Sequence, residues 1–340
     1  MMDQLLALPD DMFKQHLIQY ISMRDICRFD NIIRCHKYRQ LFLNKLMNTK
    51  LSYDNSNNNR IYEVVNANCL YWLAKRKLYL MEISLNSTIN NNNLNIIMLR
   101  KHNIFKYILS LDLISCTNLI DDDIAILSNY ASSVTSIYLA TDNLHQHEEN
   151  HPQQQQHEHP QLTTNSIILI SKKCLNLINI HIYGNFMNID YGIISLSMYC
   201  NNNIQILMLH KCNNLTDTSL LSISKNCKFL KILFLIFSSK ITDASILAIS
   251  ENCLFLENLN VDNLFLLTNQ SIFSLAKYSK YLLSLNIRNC IEINDDSIIE
   301  LVKKCIYLNR LIIYGCQNIS MNCIQNMRSI RSSLTIHDII

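Results

Sequence analysis

The residues of this chain with the most evident capacity for chemistry lie in a histidine-rich stretch, Asp142 to Gln161. His147, Glu148 and His151 form the pattern His-Glu-x-x-His, which on a helix places two imidazoles on one face to bind zinc and positions the glutamate as a general base. A helix of that kind must bury an apolar face to hold its ligands, but this stretch has none and reaches Pro152 at once. Its Gln, His and Pro content favours a disordered low-complexity insert. No metal site is expected, and a metal-dependent enzyme is kept as a rival interpretation.

The other residue patterns typical of catalytic sites are missing from the sequence. It contains neither a Gly-x-Ser-x-Gly elbow nor a Cys-x-x-Cys pair, and its three glycines are too scattered for a phosphate-binding loop. The aspartate runs 121–123 and 295–296 precede helical patterns, where acidic side chains stabilise the helix dipole. The net charge of +3 over 340 residues is too small to indicate the basic surface that binds nucleic acid. We therefore expect a non-catalytic protein with no cofactor and no nucleic-acid partner.

A regular spacing of cysteines organises the second half of the chain. One position, which we call the marker, is held in successive repeats by Cys174, Cys200, Cys227, Cys253, Ser279 and Cys305. The steps between markers are 26, 27, 26, 26 and 26 residues. Apolar residues recur three, six and eight places later, as in Leu230, Leu233 and Leu235. A fixed period of this length predicts a solenoid of stacked repeats.

Each repeat predicts one strand followed by one helix. The apolar residues at places six and eight alternate with a freer residue, which is the period of a half-buried strand. A phrase such as Leu-Thr-Asp at 215–217 then starts a helix, because Thr is a good N-cap and Asp suits the positive end of the helix dipole. Leu220, Ile223 and Cys227 share one face of that helix. We therefore expect the marker to end the helix and to face the core.

These repeats resemble the cysteine-containing subfamily of leucine-rich repeats, whose pattern is C-x2-L-x2-L-x-L-x2-C-x2-I-T-D. The resemblance implies an α/β solenoid, a horseshoe with parallel strands on its concave face and helices on its convex face. By phase the repeats extend back to Leu80, with Phe105 and Ala131 as early markers, so that about nine repeats occupy residues 77–340. The repeat that follows Ala131 has 43 residues instead of 26, which identifies 142–161 as an insert.

The cysteine usage indicates a reducing compartment. The thirteen cysteines are odd in number, and many hold fixed phases of a repeat that predicts burial. The segment MMDQLLALPDD lacks the features of a signal peptide, and no apolar run is long enough to span a bilayer. We expect a cytoplasmic protein that does not bind membranes. The short basic run 75–77 leaves a nuclear location open.

Residues 4–46 carry a different pattern, with apolar side chains at helical spacing in three short segments. Their sequence resembles an F-box, roughly L-P-x-E-x-x-x-x-I-x-x-Y-L-x-x-x-D-L-x-x-L, with one extra residue in the first helix and without the tryptophan usual near the third. The resemblance implies docking on the Skp-type linker subunit of a cullin-based SCF ubiquitin ligase. The residues that would supply the apolar docking face are Leu8, Pro9, Leu17, Ile21, Ile26 and Phe29. The alternative is a helical cap on the first repeat. Residues 47–76 are interpreted as linker and junction.

A second candidate binding surface is the concave face of the predicted solenoid. Phe234 and Ile236 are apolar at outward strand positions where a solvated strand would be polar. The residues predicted to bind a target protein there are Tyr138, Tyr183, Met208, His210, Phe234, Ile236, Phe237, Asp262, Arg288 and Tyr314. The alternative is that they pack against a neighbouring loop or the insert.

Together these patterns predict a substrate-recognition adaptor of an SCF-type ubiquitin ligase. The N-terminal segment would bind the linker subunit and thereby the cullin scaffold, and the concave face would hold a target protein for ubiquitin-dependent degradation. A leucine-rich-repeat interaction scaffold without any ubiquitin ligase is the main alternative.

Overall fold

A computed structural model of the chain describes residues 51–52, 80–86, 108–115, 119–141 and 162–338. These residues belong to two compact units. The first unit includes the described residues up to Tyr138, and the second comprises Leu139–Asp142 and Leu162–Ile340. The F-box-like segment 4–46 and the insert 142–161 lie outside the described residues. The same holds for 47–76 apart from Leu51–Ser52.

The first unit is built on parallel strands. Its elements in chain order are β1 (Leu51–Ser52), β2 (Leu80–Asn86), β3 (Ser110–Ser115), α1 (Asp121–Tyr130) and the start of β4 (Ser136–Ala140). Strands β1, β2 and β3 pair in that order, and β3 pairs with β4 so that Leu111 lies opposite Ile137, both buried. At the start of α1, the backbone amide of Ile120 donates to the Asp123 carboxylate at 3.2 Å. An aspartate of the run 121–123 thus has the capping role that its position predicts.

The second unit alternates helices and strands over seven repeats. Its elements are α2 (Thr164–Lys173), β5 (Asn179–Tyr183), α3 (Ile189–Tyr199), β6 (Ile206–His210), α4 (Asp217–Asn226), β7 (Ile232–Ile236), α5 (Asp243–Asn252), β8 (Asn258–Asn260), α6 (Asn269–Tyr278), β9 (Ser284–Asn286), α7 (Asp295–Lys304), β10 (Arg310–Ile312), α8 (Met321–Ile330) and β11 (Thr335–His337). Strands β5 to β11 are parallel and pair in chain order. The expected α/β solenoid of the leucine-rich-repeat type is confirmed. Strands β1 and β11 add to the predicted repeats.

The core of the second unit lies between the sheet and the helices. Leu207, Leu233 and Leu259 occupy equivalent places in β6, β7 and β8 and are at most 2% exposed. The markers end the helices as expected: Cys227 is buried, and its amide donates to the Ile223 carbonyl of α4. Neighbouring repeats are therefore stacked through one continuous apolar layer, as a solenoid requires.

The marker side chains also link one repeat to the next. The Cys253 thiol donates to the Cys227 carbonyl at 3.4 Å, and the Cys305 thiol donates to the Ser279 carbonyl at 3.5 Å. Burial raises the pKa of Cys174, Cys227 and Cys253 to about 12, so these thiols stay protonated. Each thus acts as a small apolar side chain with a weak hydrogen bond.

The aspartates that begin the helices connect repeats as well. Asp217, the first residue of α4, accepts from the Thr242 amide at 2.9 Å and from the Thr242 hydroxyl at 2.6 Å. Asp243 accepts the same two bonds from Thr268, at 2.9 and 2.6 Å. Besides suiting its own helix dipole, each aspartate satisfies the N-cap residue of the next repeat. This contact between repeats was not predicted.

The last marker position carries an arginine. Arg331 lies 26 residues after Cys305, and its guanidinium donates to the carbonyls of Val302, Cys305 and Leu308 at 2.6 to 2.9 Å. Carbonyl groups around the end of α7 are thereby satisfied by one cation, which also suits the negative end of the helix dipole. Among the described residues, no helix is long and apolar enough to cross a membrane.

Candidate protein-interaction surface

The outward side chains of strands β5 to β10, with the outward side chains of the one or two residues that follow each strand, form a surface that we call the strand face. Its register brings predicted residues together: Met208 lies opposite Phe234, and His210 lies opposite both Tyr183 and Ile236. All five are partly exposed, whereas the alternating residues of the same strands are buried. The pairing of parallel strands therefore brings together side chains that are about 26 residues apart in the sequence.

The centre of the strand face is apolar. Ile206 lies opposite Ile232 in the register of β6 and β7, beside the pair Met208 and Phe234. Ile206 and Ile232 were not in the predicted set, although they precede Met208 and Phe234 by two residues and so share their side of the strand. The equivalent places in the next two strands are polar and hold Asn258, Asn260, Ser284 and Asn286. The continuous apolar patch thus spans β6 and β7, and two polar strands separate it from Ile312, the apolar residue at the equivalent place of β10.

Aromatic and basic groups border this patch on the β5 side. The rings of Tyr183 and His210 are stacked with their centroids 6.3 Å apart, and the Lys211 amine lies 5.2 Å from the Tyr183 centroid. Burial, with a smaller contribution from His210, lowers the pKa of His181 to about 4. Burial also lowers the pKa of His210. This side of the face is therefore uncharged at both imidazoles near neutral pH.

On the other side of the patch, the second residues after β8, β9 and β10 are Asp262, Arg288 and Tyr314. The Arg288 guanidinium lies 4.8 Å from the centroid of the Tyr314 ring. Burial raises the pKa of Asp262, while Arg288 acts in the opposite direction. Arg288 and Tyr314 are both exposed. Tyrosine and arginine beside an apolar centre are typical of protein interfaces.

Phe237 occupies a backbone conformation that its side chain disfavours. The equivalent residue of every repeat from β5 to β10 has positive φ; it directly follows β5, β6 and β7 and lies three places after the end of the shorter β8, β9 and β10. This position is held by Gly184, Lys211, Phe237, Asn263, Asn289 and Gly315. The conformation lets the amide donate to the next repeat, as in the 3.2 Å bond from the Phe237 amide to the Asp262 carbonyl. Left-handed backbone costs an L-residue about 1–2 kcal/mol, and Gly or Asn tolerates it best. A strained phenylalanine that is 46% exposed points to a function for its ring.

The remaining predicted residues divide into two groups. Tyr138 belongs to the first unit, where it is partly buried and lies opposite Asp112 in the register of β3 and β4. The predicted linker-binding residues all belong to the segment 4–46, outside the described residues, so their role remains a prediction. The histidines of the insert are likewise outside them. Within 108–114, 119–141 and 162–338, no cluster of His, Cys, Asp and Glu is suited to hold a metal ion.

Comparison with known proteins supports the fold. No family model matches the sequence, and no curated protein matches it. Among solved structures, it is similar to a chain of the crystal structure of the Rad7 and Elc1 complex in yeast. The sequence identity is 16%, the TM-score is 0.60, and the match covers 100% of this chain and 88% of that chain. At this identity the likeness establishes the α/β leucine-rich-repeat fold, and the site must be argued from its own residues.

Proposed function

We propose that this protein is the substrate-recognition adaptor of an SCF-type, cullin-based ubiquitin ligase. The strand face would hold a target protein for ubiquitin-dependent degradation. The segment 4–46 would dock on a Skp-type linker subunit, which joins it to the cullin. The chain would itself catalyse no reaction and need no cofactor, and it would act in the cytoplasm or the nucleus.

The observation that carries the proposal is the apolar patch of the strand face. Met208, Phe234 and Ile236 project from two adjacent strands, and Phe237 adds a half-exposed ring at the end of the second. Exposed apolar groups bordered by tyrosine, arginine and polar residues resemble the centre of an interface and its rim. The strand face is an open row of partly exposed side chains on a parallel sheet, and an open surface of this kind suits a protein partner better than a small molecule, which binds in a concave pocket.

The proposed linker contact has separate support. The F-box-like pattern provides Leu17 and Ile21 at helical spacing in one short segment and Ile26 in the next, so each segment would contribute apolar side chains to a docking face. The structurally similar chain comes from a crystal structure of a complex between two proteins, Rad7 and Elc1. By analogy, a second protein bound to a solenoid of this type is a reasonable expectation for the present chain.

The linker contact can be tested with variants of the full chain. Leu17→Asp combined with Ile21→Asp should abolish co-purification with a Skp-type linker, because two buried charges would face an apolar partner surface. Gln15→Asp, a charge at a polar position of the same segment, is the matched control and should retain the linker. If the double variant binds the linker as well as the unaltered protein, the adaptor assignment is wrong and a scaffold without a ligase is the better description.

A further inference from the structure

Four aromatic side chains form a stacked row on the edge of the second unit where helices end and strands begin. Phe229, Phe255, Tyr281 and Tyr307 each follow a marker by two residues. Successive ring centroids are 5.7, 6.3 and 6.4 Å apart, with interplanar angles of 23°, 15° and 8°. We call this row the aromatic ladder. It is separate from the strand face, because its residues lie in the turns before β7, β8, β9 and β10.

The ladder is open to solvent throughout its length. Its four rings are between 46% and 54% exposed, and the adjoining Leu254 and Ile306 are 52% and 64% exposed. Stacking at these distances stabilises the contact between neighbouring repeats, so part of the ladder's role is to hold repeats together. Leu254 and Ile306 are aliphatic and take no part in this ring stacking. An exposed apolar row of this extent is characteristic of an interaction surface.

The charge around the ladder specifies the partner. The last turn of each helix from α4 to α7, together with the turn that follows, holds seven lysines and, with the Glu300 that pairs with Lys304, three glutamates, a net charge of +4. The lysines are Lys225, Lys228, Lys231, Lys277, Lys280, Lys303 and Lys304. Lys231 and Lys304 each lie within 4 Å of a glutamate, and no carboxylate of the residues that the structure describes lies this close to the other five. The opposite edge consists of the four segments that follow β7, β8, β9 and β10, each counted through the first turn of the next helix. Together these segments carry five acidic and two basic residues, a net charge of −3.

We infer that the aromatic ladder binds an acidic peptide segment that carries large apolar side chains. Carboxylates of the peptide would pair with the flanking lysines, and its apolar side chains would cover the ring edges, Leu254 and Ile306. Single-stranded nucleic acid matches the charge but not the rings, since bases bind by stacking on free aromatic faces. In the ladder the facing sides of Phe229, Phe255, Tyr281 and Tyr307 are already occupied by one another.

The test measures binding of the full chain to three fluorescent probes by anisotropy. The first is a 12-residue peptide with four Glu and four Leu or Phe, the second has Lys in place of Glu, and the third is a 12-nucleotide oligo(dT). We expect the acidic peptide to bind at least tenfold more tightly than either other probe, and to weaken as salt is raised. Equal binding of both peptides, or preferential binding of the oligonucleotide, would overturn the inference.

Variants locate the binding on the ladder. Lys225→Glu with Lys280→Glu leaves all four rings in place, and it should weaken acidic-peptide binding at least tenfold without a change in thermal stability. Lys240→Glu on the opposite edge is the matched control and should have no effect. Phe234→Asp should also leave peptide binding unchanged, which separates this surface from the proposed target site. An unchanged affinity in the double lysine variant, or a loss in Phe234→Asp, would show that the peptide binds elsewhere.

Discussion

Ser279 interrupts the run of cysteine markers from Cys174 to Cys305, and replacing it with cysteine should stabilise the protein. Its hydroxyl is buried without a hydrogen-bond partner, and the residue is 1% exposed. A buried polar group left unpaired costs about 1–3 kcal/mol. A cysteine would remove that cost and fill the space that the thiols of Cys253 and Cys305 fill in neighbouring repeats. We expect Ser279→Cys to raise the free energy of unfolding by about 1–2 kcal/mol.

Urea unfolding of the full chain, followed by circular dichroism, measures this difference. The matched control is the reverse change at the equivalent place, Cys253→Ser, which should lower stability by about 1–3 kcal/mol because it buries an unpaired hydroxyl. Ser279→Ala separates the two causes, since it removes the hydroxyl without adding sulfur, and should lie between the serine and cysteine forms. If Ser279→Cys is neutral or destabilising while Cys253→Ser is destabilising, the markers are not equivalent and the reasoning fails.

Three further predictions concern the site and the end of the solenoid. Phe237→Asn should abolish target capture in a pull-down yet change the free energy of unfolding by no more than about 1 kcal/mol, because relief of left-handed strain offsets the loss of a half-buried ring. A loss of stability of several kcal/mol would instead show that the ring has a structural role. Arg331→Met should lower the free energy of unfolding by about 2–4 kcal/mol in urea, since several buried carbonyls lose a charged donor. The control Arg328→Met removes an exposed ion pair and should lower it by less than about 1 kcal/mol. The pKa of His181 is about 4 in the folded protein and 6.5 ordinarily, so the unfolded chain binds more protons between these two values. The contribution of this histidine to the free energy of unfolding should therefore be complete above pH 6.5 and decline as the pH falls towards 4. His181→Gln should reduce that decline in urea unfolding measured from pH 7.5 to pH 5, and an identical decline in both proteins would contradict the prediction.

The repeat period predicted most of the fold because each marker is tied to local structure. The step of 26 residues and the apolar places after Cys227 correctly predicted β7, and the Thr-Asp phrases predicted the starts of α4 and α5. These features depend on neighbouring residues within one repeat. Strand β11 was missed because its marker is Arg331, which a search for cysteine does not recognise. The distance of 26 residues from Cys305 was the available signal.

The candidate site was predicted in part, and what was missed depends on contacts between repeats. Alternation along β7 was enough to place Phe234 and Ile236 on the outward side. The strain at Phe237 was not foreseen, because it requires knowing that the position has positive φ in every repeat. The four residues of the aromatic ladder, Phe229, Phe255, Tyr281 and Tyr307, recur two places after successive markers in the sequence, but only the stacking of repeats shows that their rings lie against one another.

The adaptor assignment requires that one molecule bind a linker and a target at the same time through different surfaces. Tandem affinity purification from cells, first through this protein and then through a Skp-type linker, followed by quantitative mass spectrometry, measures this directly. We predict that the unaltered protein retains both, that Phe234→Asp retains the linker and loses the target, and that Leu17→Asp with Ile21→Asp loses the linker and retains the target. Target proteins recovered through the first tag with no linker in any preparation would contradict the account.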